Sequence, residues 1–238
     1  FNNVSFSYNE RKTVLSNINF TVKAGETVAL VGPSGAGKTT ICNLIPRFYE
    51  LDSGQITIDG IDNKDITLKS LRDKIGLVQQ DVFLFSGTIR ENIIYGRLDA
   101  TEEEMIKAAK DANAHQFIME LPQAYDTVIG ERGIKLSGGQ KQLLNLASVM
   151  VMQPSVLLLD EPAAGMNPSE TEGLMDRINA LREKFSMAIL LIEHDMKLVM
   201  GICDKIVVLN YGCVIAEGCP EEIRNNEEVI TAYLGSEA

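Results

Sequence analysis

Apolar and polar residues along this chain fall into three textures. Val4-Ser5-Phe6-Ser7-Tyr8 and Ile18-Asn19-Phe20-Thr21-Val22 alternate between them, which is the period of half-exposed strands and predicts an antiparallel edge. Val28-Ala29-Leu30-Val31, Ile75-Gly76-Leu77-Val78, Val156-Leu157-Leu158-Leu159 and the run 187–192 are continuously apolar, as strands covered on both faces are. Turn signals separate the elements: Ser53-Gly54, the hairpin pair Asp59-Gly60, and Tyr211-Gly212 between Val207-Val208-Leu209 and Val214-Ile215-Ala216. From about residue 81 to 152 helical patterns replace the strand signals. Thr101-Glu102-Glu103-Glu104 offers a capping box there, and Leu121-Pro122 breaks the helices. The pattern predicts one α/β domain over 1–238. Segments 1–80 and 153–238 would build the core sheet with its antiparallel edge, and 81–152 an inserted helical lobe.

Composition narrows the partners. The chain has 238 residues, 45% of them hydrophobic, and no apolar run nears the roughly 18 residues of a membrane span. It is expected to be soluble by itself. Acidic side chains outnumber basic ones 33 to 22, for a net charge of −11. A phosphate backbone would repel such a surface, so no nucleic-acid partner is expected. Cys42, Cys203, Cys213 and Cys219 form no C-x-x-C pair, and the two histidines, His115 and His194, offer no zinc spacing. Free thiols in a reducing cytoplasm are the simplest account. No signal peptide opens the chain, and Phe1 falls inside a predicted strand, as in an excised domain.

The chemistry centres on Gly32-Pro33-Ser34-Gly35-Ala36-Gly37-Lys38-Thr39-Thr40, set between the apolar run 28–31 and a helical stretch from Ile41. The spacing G-x-x-x-x-G-K-[ST] is that of a P-loop, whose backbone N–H groups and helix N-terminus cradle phosphate oxygens. Lys38 would reach the β- and γ-phosphates and Thr39 a magnesium ion. Leu136-Ser137-Gly138-Gly139-Gln140 opens another helix. Ser137 can cap it, and Gly138 and Gly139 read either as a second phosphate cradle or as part of the cap alone. The run 156–159 ends in Asp160-Glu161, which would point differently. A strand-end aspartate holds magnesium in P-loop enzymes, and a neighbouring carboxylate can orient and deprotonate water. His194, after the run 187–192, is either structural or a donor to a γ-phosphate. Tyr8 either stacks on adenine or is an ordinary strand residue.

A P-loop, a glutamine after a strand, an LSGGQ helix, an apolar run ending in Asp-Glu and a strand-end histidine, in this order, resemble the ATP-binding-cassette ATPase family over the whole chain. The resemblance implies an ATPase using ATP and Mg²⁺. By position, Tyr8 resembles the adenine-stacking loop and Gly32 to Thr40 Walker A. Gln80 resembles the glutamine that contacts magnesium and senses a transmembrane partner. Leu136 to Gln140 resembles the signature, Asp160 the Walker B aspartate, Glu161 the catalytic carboxylate, residues 164–167 the D-loop and His194 the switch histidine. It also implies a head-to-tail homodimer on ATP binding, in which Ser137 and Gly139 of one chain complete the site at Lys38 of the other. Membrane domains of a transporter would be the further partner, at the cytoplasmic face.

The two halves resemble different branches. Residues 43–49, Gln79-Gln80-Asp81, Ala112-Asn113-Ala114-His115 and Gly130-Glu131-Arg132-Gly133 are similar to multidrug and lipid exporter cassettes. Residues 160–168, 192–200 and 220–226 resemble the ATPase subunit of branched-chain amino-acid importers. A chain recombined or designed within the signature helix would read this way. Ser148 stands where both branches carry arginine, and Leu143 where many cassettes carry a basic residue. Two alternatives to a working ATPase follow. One is a recombined or designed module of this fold that binds ATP but hydrolyses it poorly, and that has no transport partner. The other is a chromosome- or DNA-repair-type cassette, which the acidic balance and the lack of coiled-coil arms disfavour.

Overall fold

The computed structural model describes residues 1–9 and 13–234. Residues 10–12 and 235–238, within the segments assigned to the core, lie outside it.

The chain opens with β1 (Asn2–Ser7) and β2 (Thr13–Ile18), followed by β3 (Thr27–Val31), α1 (Lys38–Leu44) and β4 (Ser53–Gln55). Strands β2, β1 and β4 form an antiparallel sheet in that order. The expected strand over 18–22 is therefore corrected: pairing runs through Thr13–Ile18 and stops. Asn17 is left-handed at φ +51°, and beyond it Phe20 donates its N–H to the Phe1 carbonyl and stacks on the Phe1 ring, centroids 4.3 Å apart. Alternation continued past residue 18 because Phe20 is buried, although it lies in extended coil. The Asp59-Gly60 hairpin joins β5 (Thr57–Ile58) to β6 (Ile61–Asp62) as expected.

Next come α2 (Leu68–Arg72), β7 (Ile75–Val78), α3 (Ile89–Ile94), α4 (Glu102–Asp111), α5 (His115–Glu120) and α6 (Gly138–Met150). Thr101 and Glu104 form the expected capping box of α4. The chain continues through β8 (Val156–Asp160), α7 (Pro168–Phe185), β9 (Ala188–Ile192), α8 (Met196–Ile202), β10 (Lys205–Asn210), β11 (Cys213–Gly218), α9 (Pro220–Arg224) and α10 (Glu227–Leu234). The main sheet has the order β11-β10-β3-β9-β8-β7, with every pairing parallel except that of the edge strand β11.

Successive side chains of a strand face opposite sides, and the core divides accordingly. Leu30, Leu158, Leu190, Ile192, Val207 and Leu209 pack with Ile41 and Leu44 of α1 beneath Val4, Phe6 and Leu15 of the small sheet. Ala29, Val31, Leu157, Leu159, Leu191 and Val208 pack on the other side with Met105, Ile118, Leu144 and Ile178. Helix α1 thus fills the space between two sheets. The helices of 81–152 share a core with the main sheet rather than building their own. Cover on both faces is why the strands read as unbroken apolar runs.

Candidate active site

The parallel strands bring their carboxyl ends to one edge, the usual ligand edge of an open α/β sheet. After β3 comes the loop 32–37, after β7 Gln80, after β8 Glu161, and after β9 His194. Gly32 has φ +152°, and a Cβ there would lie 2.2 Å from the Leu209 carbonyl oxygen of β10, so the turn out of β3 requires glycine. Pro33, Ser34 and Gly35 form the exposed crest of the loop, and Ala36 and Thr40 are buried beneath it. Gly37, left-handed at φ +102°, is the N-cap of α1.

Lys38 is buried, and its Nζ donates to the carbonyl oxygens of Gly32 at 2.7 Å and Pro33 at 3.1 Å. Burial pushes its pKa down, while Glu161 and Asp160 pull it up. The Thr39 hydroxyl donates to Asp160 Oδ1 at 3.4 Å. Burial raises the Asp160 carboxyl above its usual range, against the lowering effect of that hydroxyl. Glu161 is left-handed at φ +49°. Its N–H donates to the Ile192 carbonyl at 3.0 Å, and its Oε1 lies 2.5 Å from His194 Nε2. The adjacent carboxyls therefore diverge, one to the hydroxyl of the P-loop helix and one to the histidine of the next strand.

Tyr8 donates or accepts a hydrogen bond with the Thr40 hydroxyl at 3.1 Å. Its ring meets Phe6 and Tyr49 edge-on, with centroids 4.9 and 5.0 Å away, and stays half exposed. Ser137 is the N-cap of α6: its side chain accepts from the Gln140 N–H, and the Gln140 side chain returns to the Ser137 N–H. Gly139 lies so close to the Glu170 carboxylate that a Cβ would come within 2.9 Å of it. Gln80 is exposed, and its carbonyl accepts from Gln142 Nε2 at 3.5 Å.

Thr39 meets Asp160, and Glu161 meets His194, at the edge that Lys38 shares. Among the described residues no hydrogen bond joins the Gln80 side chain or Ser137 to Gln140 to that set. Sequence reasoning missed Tyr49 as a neighbour of Tyr8 and missed Glu193. That carboxylate is buried and accepts from the N–H groups of Ala163 and His194, both at 3.2 Å. Burial pushes its pKa up, and the two N–H groups hold it down. An acid following an apolar run was the available signal.

The donor set fits magnesium. A hydroxyl and a carboxylate oxygen converge, and such hard oxygen ligands suit an ion that otherwise keeps waters and phosphate oxygens. Among the described residues no three His, Cys, Asp or Glu side chains are grouped to hold a metal.

A sequence profile described as ABC transporter matches residues 15–164, a span holding the glycine loop, Ser137 to Gln140, Asp160 and Glu161. The chain belongs to the ABC transporter family. A second profile, "Branched-chain amino acid ATP-binding cassette transporter", matches residues 213–238 of this ABC domain. The chain is 47% identical over 223 residues to "Uncharacterized ABC transporter ATP-binding protein YwjA" of Bacillus subtilis (strain 168), covering 94% of this chain and 38% of that protein. It is 48% identical over 221 residues to a "Putative multidrug export ATP-binding/permease protein" of Staphylococcus aureus (strain NCTC 8325), covering 92% and 38%. The structure of a bacterial Atm1-family ABC exporter with ATP bound superposes on it with a TM-score of 0.91 at 38% identity, covering 100% of this chain and 41% of that one. This ABC domain thus spans about two-fifths of the length of these relatives. The Staphylococcus aureus relative and the solved structure are of exporter type by name, while the tail matches the branched-chain profile, so the mixed resemblance read from the sequence is present.

Proposed function

We propose that this ABC domain binds ATP with Mg²⁺ at the loop 32–40 and hydrolyses it to ADP and phosphate. The divergence of Asp160 and Glu161 carries this reading, because it separates a carboxylate for the metal from a carboxylate for water. Backbone N–H groups of the loop and Lys38 would hold the β- and γ-phosphates, with Tyr8 against adenine. Thr39, Asp160 and Gln80 would hold the magnesium, which would supply positive charge against that of the phosphates. Glu161 would orient a water in line with the bond to the leaving ADP and take its proton as the new P–O bond forms and the old one breaks. His194 Nε2 lies 2.5 Å from Glu161 Oε1. A γ-phosphate accepting from His194 would release Glu161 to act as the base.

In this reading 1–80 and 153–238 are the nucleotide core, and 81–152 is the arm that carries Ser137, Gly138, Gly139 and Gln140 to the site of a second chain. Capping by Ser137 and Gln140 fixes the start of α6 while leaving Ser137 exposed. Dimer closure would drive membrane domains at the cytoplasmic face. The exposed aromatics Phe83, Phe85 and Tyr95, the first two edge-on at 5.1 Å and the last two tilted at 4.3 Å, suit docking to such a domain, whereas the net charge of −11 does not suit nucleic acid. A second reading, ATP binding with poor turnover, draws on Ser148. Its hydroxyl bonds back to the Asn145 carbonyl at 2.8 Å within α6, a local contact without the charge of an arginine. Turnover measured against protein concentration tests the shared site. Activity should rise faster than linearly while monomers dominate, and strict proportionality from a monomeric sample contradicts it.

A further inference from the structure

We infer that Glu193 is a positioning residue that holds the two loops carrying Glu161 and His194 in register with one another. Its consequence for turnover rests on the hydrolytic reading above; its geometry stands apart from that reading.

Glu193 follows the last residue of β9 and is 6% exposed. A buried carboxylate is costly unless hydrogen-bonded or paired. Among the described residues no lysine or arginine lies in salt-bridge range of it. Its compensation comes from two backbone donors on different loops. Oε1 accepts from Ala163, two residues past Glu161, and Oε2 accepts from His194, each at 3.2 Å. An apolar residue would extend the preceding run Ala188–Ile192 with no such cost but could tie nothing.

What it ties is a turn under strain. Glu161 sits at φ +49°, a conformation that a residue with a side chain keeps only where its surroundings fix it. Three other contacts help. The Glu161 N–H bonds the Ile192 carbonyl, the Ala164 N–H bonds the Glu161 carbonyl at 3.0 Å, and the side chain meets His194 at 2.5 Å. Every path from the 161–164 turn to residues 192–194 is thus short, and Glu193 supplies the one that reaches Ala163. Without it, two N–H groups beside the pair lose their acceptor together, the turn relaxes, and the contact between Glu161 and His194 opens.

The sequence holds two histidines, His115 and His194, so imidazole NMR of the nucleotide-free chain reads this contact directly. His115, whose Nδ1 lies 2.8 Å from the Tyr125 hydroxyl, serves as the internal reference. The comparison takes the parent, Glu161→Ala, Glu193→Ala and Glu193→Gln. In Glu193→Ala the His194 signals should move most of the way to their position in Glu161→Ala, with His115 unmoved. Glu193→Gln, which keeps one acceptor oxygen, should move them less. With ATP and Mg²⁺, Glu193→Ala should lower kcat about tenfold and leave KM within about twofold, and glutamine should recover part of the loss. His194 signals that stay at the parent position in Glu193→Ala overturn the inference, as do equal movements of both histidines, which report general loss of packing. If Glu161→Ala leaves His194 unmoved, the pair is absent in solution and the inference falls with it. If His194 moves as expected while kcat holds, positioning by Glu193 stands and the hydrolytic role of the pair fails.

Discussion

Replacing Gly32 or Gly35 by alanine measures how tightly the nucleotide loop is seated on the sheet. Both glycines have positive φ, +152° at Gly32 and +78° at Gly35, but a Cβ at Gly35 meets nothing within 4 Å, whereas one at Gly32 would lie 2.2 Å from the Leu209 carbonyl oxygen. For Gly35→Ala the left-handed backbone costs about 1–2 kcal/mol. Lower freedom of the unfolded chain returns about 0.4–1 kcal/mol, leaving a net cost near 1 kcal/mol. Gly32→Ala carries backbone strain of about 1–3 kcal/mol and must also push β10 away by roughly 1 Å, which overpacking studies put at about 1–3 kcal/mol. After the same return, the net cost is about 1–5.6 kcal/mol, centred above 3 kcal/mol. At about 2–4 °C per kcal/mol for a domain of this size, the two variants should melt several degrees apart. Urea unfolding of the nucleotide-free chains is the assay, with Gly32→Ala showing the lower midpoint and an unchanged slope. Equal midpoints would refute the close approach of the loop to β10.

Lys38→Ala should weaken ATP binding about tenfold to a hundredfold, since hydrogen bonds to charged groups contribute about 1.5–3 kcal/mol; unchanged affinity by calorimetry contradicts the assignment of the site. Asp160→Asn should stabilise the nucleotide-free chain at pH 7. A carboxyl whose pKa burial raises in the fold contributes stability below its unfolded value near ~4 and loses it as pH rises through the folded value, so at neutral pH its ionised form destabilises the fold. The gain should shrink towards pH 4. With ATP and Mg²⁺ the order should reverse, because asparagine binds the metal less well. A variant that melts no higher than the parent at pH 7 contradicts the burial argument.

The main sheet was legible because its strands are covered on both faces, so 28–31, 156–159 and 187–192 carry no polar interruption that would blur them. The small sheet was half legible. Alternation over 4–8 matched β1, but 18–22 kept the same alternation while the ladder, irregular around the left-handed Asn17, ended at the Val4–Ile18 pair; period 2 marks a chain with one buried face, and pairing is a tertiary fact. At the site, the opposed directions of Asp160 and Glu161 followed from residues successive at a strand end. The bond from Tyr8 to Thr40 did not, since it spans 32 residues. Glu193 was invisible as a bridge because a carboxylate closing an apolar run reads as the point where the chain meets water, and only the fold places the Ala163 N–H beneath it.

The central claim is that Glu161 serves the chemistry while Asp160 serves the metal, and Glu161→Gln tests it most directly. Glutamine keeps the shape and hydrogen-bonding reach of Glu161 but cannot act as the base. ATP should then persist between the loop 32–40 of one chain and Ser137 to Gln140 of another. Size-exclusion chromatography of Glu161→Gln should show a dimer with ATP and Mg²⁺ and a monomer with ADP, while phosphate release falls to background. A variant that hydrolyses ATP at the parent rate would contradict the account, and one that binds ATP yet stays monomeric would leave only the poorly hydrolysing module.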